Sequence, residues 1–213
     1  MYVPASFSET DPEVLADLIR RHPLGMLITT GPSGLLASPV PFLYRMKDGQ
    51  SVLVAHLARA NPHWRDLAAV DECLVVFQGA DNYVSPNWYP SKRSTHKVVP
   101  TWNYEMVQVR GRPVVIDSSD WLKGQVTEVT DMMERPRATP WTVADAPEEF
   151  IDTQLKAIVG IEIAINQIHG KWKMSQNRSA DDAQGVVAGL SNRDDPHANP
   201  EVGAIVAARL KDR

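Results

Sequence analysis

The chain has 213 residues, 43% hydrophobic and 23% charged, a composition that suits one ordinary globular domain with a real core and excludes a disordered or fibrous chain. Its 22 lysines and arginines against 26 aspartates and glutamates leave a formal charge of −4, which excludes a whole-molecule attraction toward nucleic acid. No apolar run approaches the ~20 residues of a membrane helix, and Met1 to Thr10 lacks the basic and apolar regions of a signal peptide, so a cytoplasmic protein is expected.

In chain order, Thr10 and Glu13 fit a capping box, Pro12 fits the first helical turn, and Val14, Leu15, Leu18 and Ile19 form one apolar stripe that Pro23 ends. Leu24 to Thr30 reads as a strand, Gly31 to Gly34 as a turn, and Leu35 to Arg45 as a second strand. Pro39 and Pro41 in that strand predict an edge, a bulge or a backbone met by something other than a strand. Asp48-Gly49 makes the next turn and Ser51 to Leu57 a third strand. Asn61 caps a short helix over Pro62 to Val70. Cys73 to Gln78 is a strand. Val98 to Ile116 is long, β-branched and aromatic, with Gly111 as a bulge or turn. Ser118 or Ser119 caps a helix through Met133, and Pro147 to Ala157 is helical. Val159 to Ile168 alternates as a strand, Gly170 leads into Lys171 to Ser175, and helices over Ala180 to Leu190 and Pro200 to Leu210 close the chain.

Strands dominate the first half and helices the two ends, without regular alternation. The expected class is α+β with an antiparallel sheet or barrel rather than a doubly wound parallel sheet.

The single cysteine, Cys73, excludes an intrachain disulfide and a multi-cysteine zinc site, and its apolar neighbours make it a core residue. No GxGxxG, Walker loop, GxSxG or HExxH pattern occurs, and the six histidines never fall at i, i+4, so no metal site is expected. Three segments combine aromatic rings with amides or cations: Ala55 to Trp64, Asn82 to Tyr104, and Gly170 to Arg178. In the first, Arg59 precedes a helix start at Asn61, a suitable grip for a phosphate. In the third, strand alternation puts Lys171, Lys173 and Ser175 on one face and Trp172, Met174 and Gln176 on the other. Solvated lysines and a plain helix cap are the bland alternatives.

The blocks HLARANPHW, YVSPNWYPSK, VPTWNY, VGIEI and GKWKMSQNR, with PLG at Pro23 to Gly25 and GVVAGL at Gly185 to Leu190, resemble the PaiB-type FMN-binding negative transcriptional regulators. The resemblance spans about residues 1–190 and implies an FMN-binding split β-barrel with flanking helices. Residues 191–213 would then form a C-terminal helical extension packed on the same domain. It further implies a homodimer with FMN between subunits. Carried over residue by residue, it sets His56, Arg59 and Asn61 near the phosphate and ribityl chain. Lys173, Ser175 and Gln176 become donors on a second strand, and Trp102 and Asn103 flank the isoalloxazine. Ser38-Pro39 departs from the family, where a histidine is common.

Three functions stay open at this point. The first is a flavin-binding regulator that contacts DNA directly or through another protein. The second is a flavin oxidoreductase acting on a small substrate, and the third is a module that senses flavin or haem.

Overall fold

The computed structural model describes residues 1–211. It contains β1 (Ser8–Glu9), α1 (Pro12–Arg21), β2 (Leu24–Gly31), β3 (Gly34–Pro41), β4 (Leu43–Lys47), β5 (Gln50–Ala58), α2 (His63–Leu67) and β6 (Cys73–Val84). After these come α3 (Lys92–Thr95), β7 (Thr101–Ile116), α4 (Ser119–Glu134), α5 (Glu148–Leu155), β8 (Ile158–Lys173), α6 (Ala180–Ser191) and α7 (Pro200–Lys211). The sheet has eight strands in the order β3-β2-β6-β7-β8-β5-β4, with β1 paired to β8, and every strand register resolved is antiparallel. The α+β antiparallel class therefore stands, in the form of an open sheet with flanking helices.

Several boundaries differ from the sequence reading for local reasons. Helix α1 is capped by Asp11, whose Oδ1 accepts the Glu13 N–H at 2.9 Å, while Glu9 Oε1 takes the N–H groups of Thr10 and Asp11. Thr10 is thus not the cap. The expected strand from Leu35 to Arg45 is two strands, broken after Pro41, and β3 is an edge, as its prolines require. Helix α2 has only five residues rather than nine. Gly111 is neither a bulge nor a turn: it lies inside β7, where an added Cβ would stand 2.1 Å from the Ala164 carbonyl oxygen. Strand β8 runs unbroken through Gly170. The two-residue β1, helix α3 and three single-turn 3-10 helices carry too little periodicity to be read from sequence.

The chain forms two compact units. One comprises Ala16–Phe77 and Gln108–Ile168. Here the β2–β3 hairpin pairs Leu24 with Pro41 through Gly31 with Gly34, and β5 pairs with β8 from Val52↔Ala164 to Ala58↔Ile158. Leu27, Phe42, Leu53, Phe77, Ile161 and Ile163 are fully buried in it, and Phe42 meets Phe77 edge-on at 5.8 Å. Helix α4 covers Leu43, Val52 and Val54 with Trp121, Val129 and Met132.

The other unit comprises Met1–Leu15, Gln78–Val107 and His169–Arg213. Its core includes Val84, Tyr89, Val107, Trp172, Met174, Val186, Leu190 and Val206. Gly185 and Gly189, one turn apart on α6, admit Trp88: a Cβ on Gly189 would lie 2.3 Å from the indole, and one on Gly185 2.1 Å from the Trp88 carbonyl oxygen. The GVVAGL and NWYP blocks are therefore the two halves of one packing contact. The Trp88 indole N–H donates to Asp195 at 2.9 Å, and Asp182 accepts both the N–H and the hydroxyl of Ser91.

Candidate functional site

The segment that ends β5 and begins α2 lies wholly in the first of these units. Arg59 is committed to its own chain. Its guanidinium donates to both carboxylate oxygens of Asp117 at 2.6 and 3.1 Å, to the Lys156 carbonyl at 2.9 Å and to the Ile158 carbonyl at 3.0 Å. These bonds hold the Asp117 carboxyl below its usual range and Arg59 above its own. Four of the five guanidinium N–H bonds are spent there. Asn61 accepts the His63 N–H at 3.1 Å, so its oxygen caps a helix of little more than one turn. His56 is half-buried, and its Nδ1 donates to Gln125 Oε1 at 2.7 Å. The buried histidine is His63, clamped between the hydroxyls of Thr29 (2.8 Å) and Ser38 (2.9 Å), and burial pushes its pKa down against the opposing pull of Asp66. Ser38, which departs from the family pattern, is thus a partner of His63.

The remaining candidates lie in the other unit, on β7 and at the end of β8. Trp102 and Asn103 are neighbours on a strand and face opposite ways: the indole is 53% exposed and the amide 0%. Asn103 Oδ1 accepts the Ser175 hydroxyl at 3.1 Å, and its buried Nδ2 has no partner. Ser175 adopts a left-handed backbone (φ 65°), which ends the strand alternation and turns its hydroxyl inward toward Asn103. Gln176 folds back on its own chain, accepting the Met174 N–H and donating to the Trp172 carbonyl, both at 2.6 Å.

Lys173 is half-buried and donates to Thr101 Oγ1 at 2.6 Å and to the Trp102 carbonyl. Burial lowers its pKa, and the two charges that act on it, Arg178 and then Lys171, are both cations and lower it further. Lys171 sits over the Tyr104 ring at 5.3 Å, on the same outward face of the sheet as Lys173 and Trp102. Beside these, Gln78, Asp81, Trp102, Tyr104 and Met106 line an open cavity of about 270 Å³.

The structure thus joins Lys173 to the Trp102 backbone and Ser175 to Asn103, and joins His56, Arg59 and Asn61 only through the chain segment they share. Sequence reasoning overlooked Thr101 and placed Tyr104 only among the aromatic rings of Asn82 to Tyr104, although strand alternation from Trp102 sets it on the same face. It set Lys171 on the strand face of Lys173 without giving it a role, and Arg178 only at the end of the Gly170 to Arg178 segment. Asp117, the partner of Arg59, carries no local signal.

Residues 1–167 match the family model described as "Putative FMN-binding domain". The chain belongs to this FMN-binding family. It is also 30% identical to the Protease synthase and sporulation protein PAI 2 of Bacillus subtilis over 99% of both chains, which bears out the PaiB resemblance. Among solved structures it is similar to the flavocytochrome Anf3 from Azotobacter vinelandii, with a TM-score of 0.56 at 15% identity over 78% of this chain and 69% of that one. The FAD and heme binding protein from Mycobacterium smegmatis gives 0.55 at 22% identity, over 78% and 73%. These likenesses show the split-barrel fold.

FMN is the cofactor of the family, and the donor set around β7 and β8 fits it. A dianionic phosphate suits Lys171 and Lys173, which repel one another without it, and an exposed indole and a half-buried phenol on the same face suit a flat apolar ring. The strand-to-helix segment fits less well, since Arg59 and the Asn61 oxygen are already engaged.

Proposed function

We propose that this chain is an FMN-binding regulator of the PaiB type, with the phosphate of FMN held by Lys171 and Lys173 and the ring resting against Trp102 and Tyr104. The observation that carries this reading is Lys173: a half-buried ammonium whose charged neighbours are cations is a site prepared for an anion. Arg178 adds to the positive field. When bound, the isoalloxazine supplies one- or two-electron redox chemistry. The chain's residues supply the anchoring charge and an aromatic surface that excludes water from one ring face. His56, Arg59 and Asn61 shape the β5–α2 connection beneath this reading rather than touch the phosphate.

The protein is a cytoplasmic homodimer in this proposal. Support comes from the exposed Leu24, Met26 and Leu35 on the edge hairpin, an apolar face that a second copy of the chain would cover. Among the described residues no helix is long and apolar enough to cross a membrane. Regulation passes through a protein partner, because α6 and α7 open with Asp181, Asp182 and Glu201, and acids in a first turn repel a phosphate backbone.

The test begins with the visible spectrum of freshly purified protein, which reports flavin directly, and continues with retention of promoter DNA at physiological salt. Flavin absorbance with weak, salt-sensitive DNA retention supports the proposal. Protein that neither carries nor takes up FMN overturns it, and NADH-driven turnover of the bound flavin would move the reading to an oxidoreductase.

A further inference from the structure

Between α4, α5 and the C-terminal end of β5 lies a cavity of about 370 Å³, wholly within the unit that holds Arg59. Its walls are mostly aliphatic: Ala58, Val126, Val143, Ile151, Leu155 and Ile158. One side is braced by the segment that follows α4. There the Trp141 N–H donates to Glu134 at 3.2 Å, and Asp145 accepts the N–H and hydroxyl of Thr142 at 2.7 and 3.1 Å. No lysine or arginine lines the cavity, so it has nothing to hold a phosphate. Its size is at the small end of ligand pockets, which run from roughly 300 to 1,000 Å³.

Thr130, Trp141, Gln154 and His56 supply the polar groups of its lining, and His56 is the one held in a fixed orientation by a buried partner. Gln125 Oε1 can only accept, so the 2.7 Å contact puts the proton of the neutral imidazole on Nδ1 and leaves a lone pair on Nε2. Among the described residues no hydrogen bond reaches Nε2. Gln125 is only 1% exposed, and its Nε2 has no partner. Leaving the donor of a buried amide unused carries a desolvation cost. Aliphatic residues could fill that position on α4 without this cost, and what the amide adds is a fixed tautomer and ring angle for His56.

We propose that this cavity binds a compact, flat, mostly apolar molecule with one hydroxyl or N–H that donates to His56 Nε2, a phenol-like or indole-like compound. Gln125 is a positioning residue: it orients the imidazole and does not touch the ligand. The site is distinct from the Lys171 and Lys173 cluster and does not depend on how FMN is held.

Phenol and toluene are the probes, since they share a ring and differ in the donor. The full chain carrying its FMN, with histidine labelled at the ring nitrogens, is titrated with each. Phenol should move the His56 signal alone among six histidines and bind at least about fivefold more tightly than toluene, the worth of one hydrogen bond. His56→Leu should abolish the preference, and Ile151→Trp, which fills the cavity, should abolish binding of both while a melting curve and FMN retention stay normal. Equal affinity for the two probes, or phenol binding that survives Ile151→Trp, overturns the proposal. Lys173→Met, which should weaken FMN and leave phenol untouched, separates failure of this site from failure of the flavin reading.

Discussion

Replacing Lys173 with methionine is the most direct test of the flavin site, because the substitution keeps a stem of similar length and removes the ammonium. In the ligand-free protein the ammonium is half-buried, bonded to Thr101 and the Trp102 carbonyl, and repelled by Arg178 and Lys171. Removing it relieves that repulsion and loses two hydrogen bonds, effects that largely offset one another. With phosphate bound, the same ammonium makes a charge-assisted contact worth about 1.5–3 kcal/mol, so FMN should bind the variant roughly ten- to 150-fold more weakly. Riboflavin has no phosphate and should bind both proteins alike, within about twofold. Fluorescence-quenching titrations of the two flavins, with a melting curve as the folding control, measure this. Equal losses for FMN and riboflavin in a folded variant would refute the phosphate assignment.

The pH dependence has a definite sign. Between the lowered folded pKa of Lys173 and its ordinary unfolded value, the unfolded chain binds more protons, so ligand-free stability rises with pH in that window. A bound phosphate favours the ammonium. The ratio of FMN to riboflavin affinity should therefore fall as pH climbs through the lowered Lys173 value, and Lys173→Met should flatten that profile.

Arg59→Ala should lower the melting temperature, since it strands Asp117 and two carbonyls, yet leave the FMN to riboflavin ratio unchanged; a selective loss of FMN would return Arg59 to the phosphate. His63 is held neutral with its pKa pushed below 6.5, so stability should be lost as pH falls through the unfolded value near 6.5 toward the folded one, and His63→Gln should remove that slope in denaturant titrations. Gly189→Ala should cost about 1–3 kcal/mol by overpacking against Trp88, read from the denaturation midpoint, whereas Gly124→Ala on α4, with open space around it, should cost nothing.

The amino-acid sequence by itself determined the longer elements and much of their punctuation. Pro12 and Pro23 bound α1, Asp48-Gly49 turns β4 into β5, and the alternation of Lys171, Trp172, Lys173 and Met174 sorts charge from core on β8. These signals act through a few adjacent bonds, so they survive without knowledge of the rest of the chain. The same holds for the family resemblance, whose blocks include the small residues of α6 that admit Trp88. Only the tertiary structure decided how each cation is partnered. Arg59 and Lys173 look equally available in sequence, but the fold brings Asp117, 58 positions away, onto Arg59, and sets Lys173 beside two other cations, with only a hydroxyl and a carbonyl for hydrogen bonds. The left-handed turn at Ser175, the tautomer of His56 and the opposite faces of Trp102 and Asn103 depend likewise on strand register and on helices packed from far along the chain. A charge is spent or spare according to its neighbours in space, and those neighbours are assigned when the sheet closes its long-range pairs.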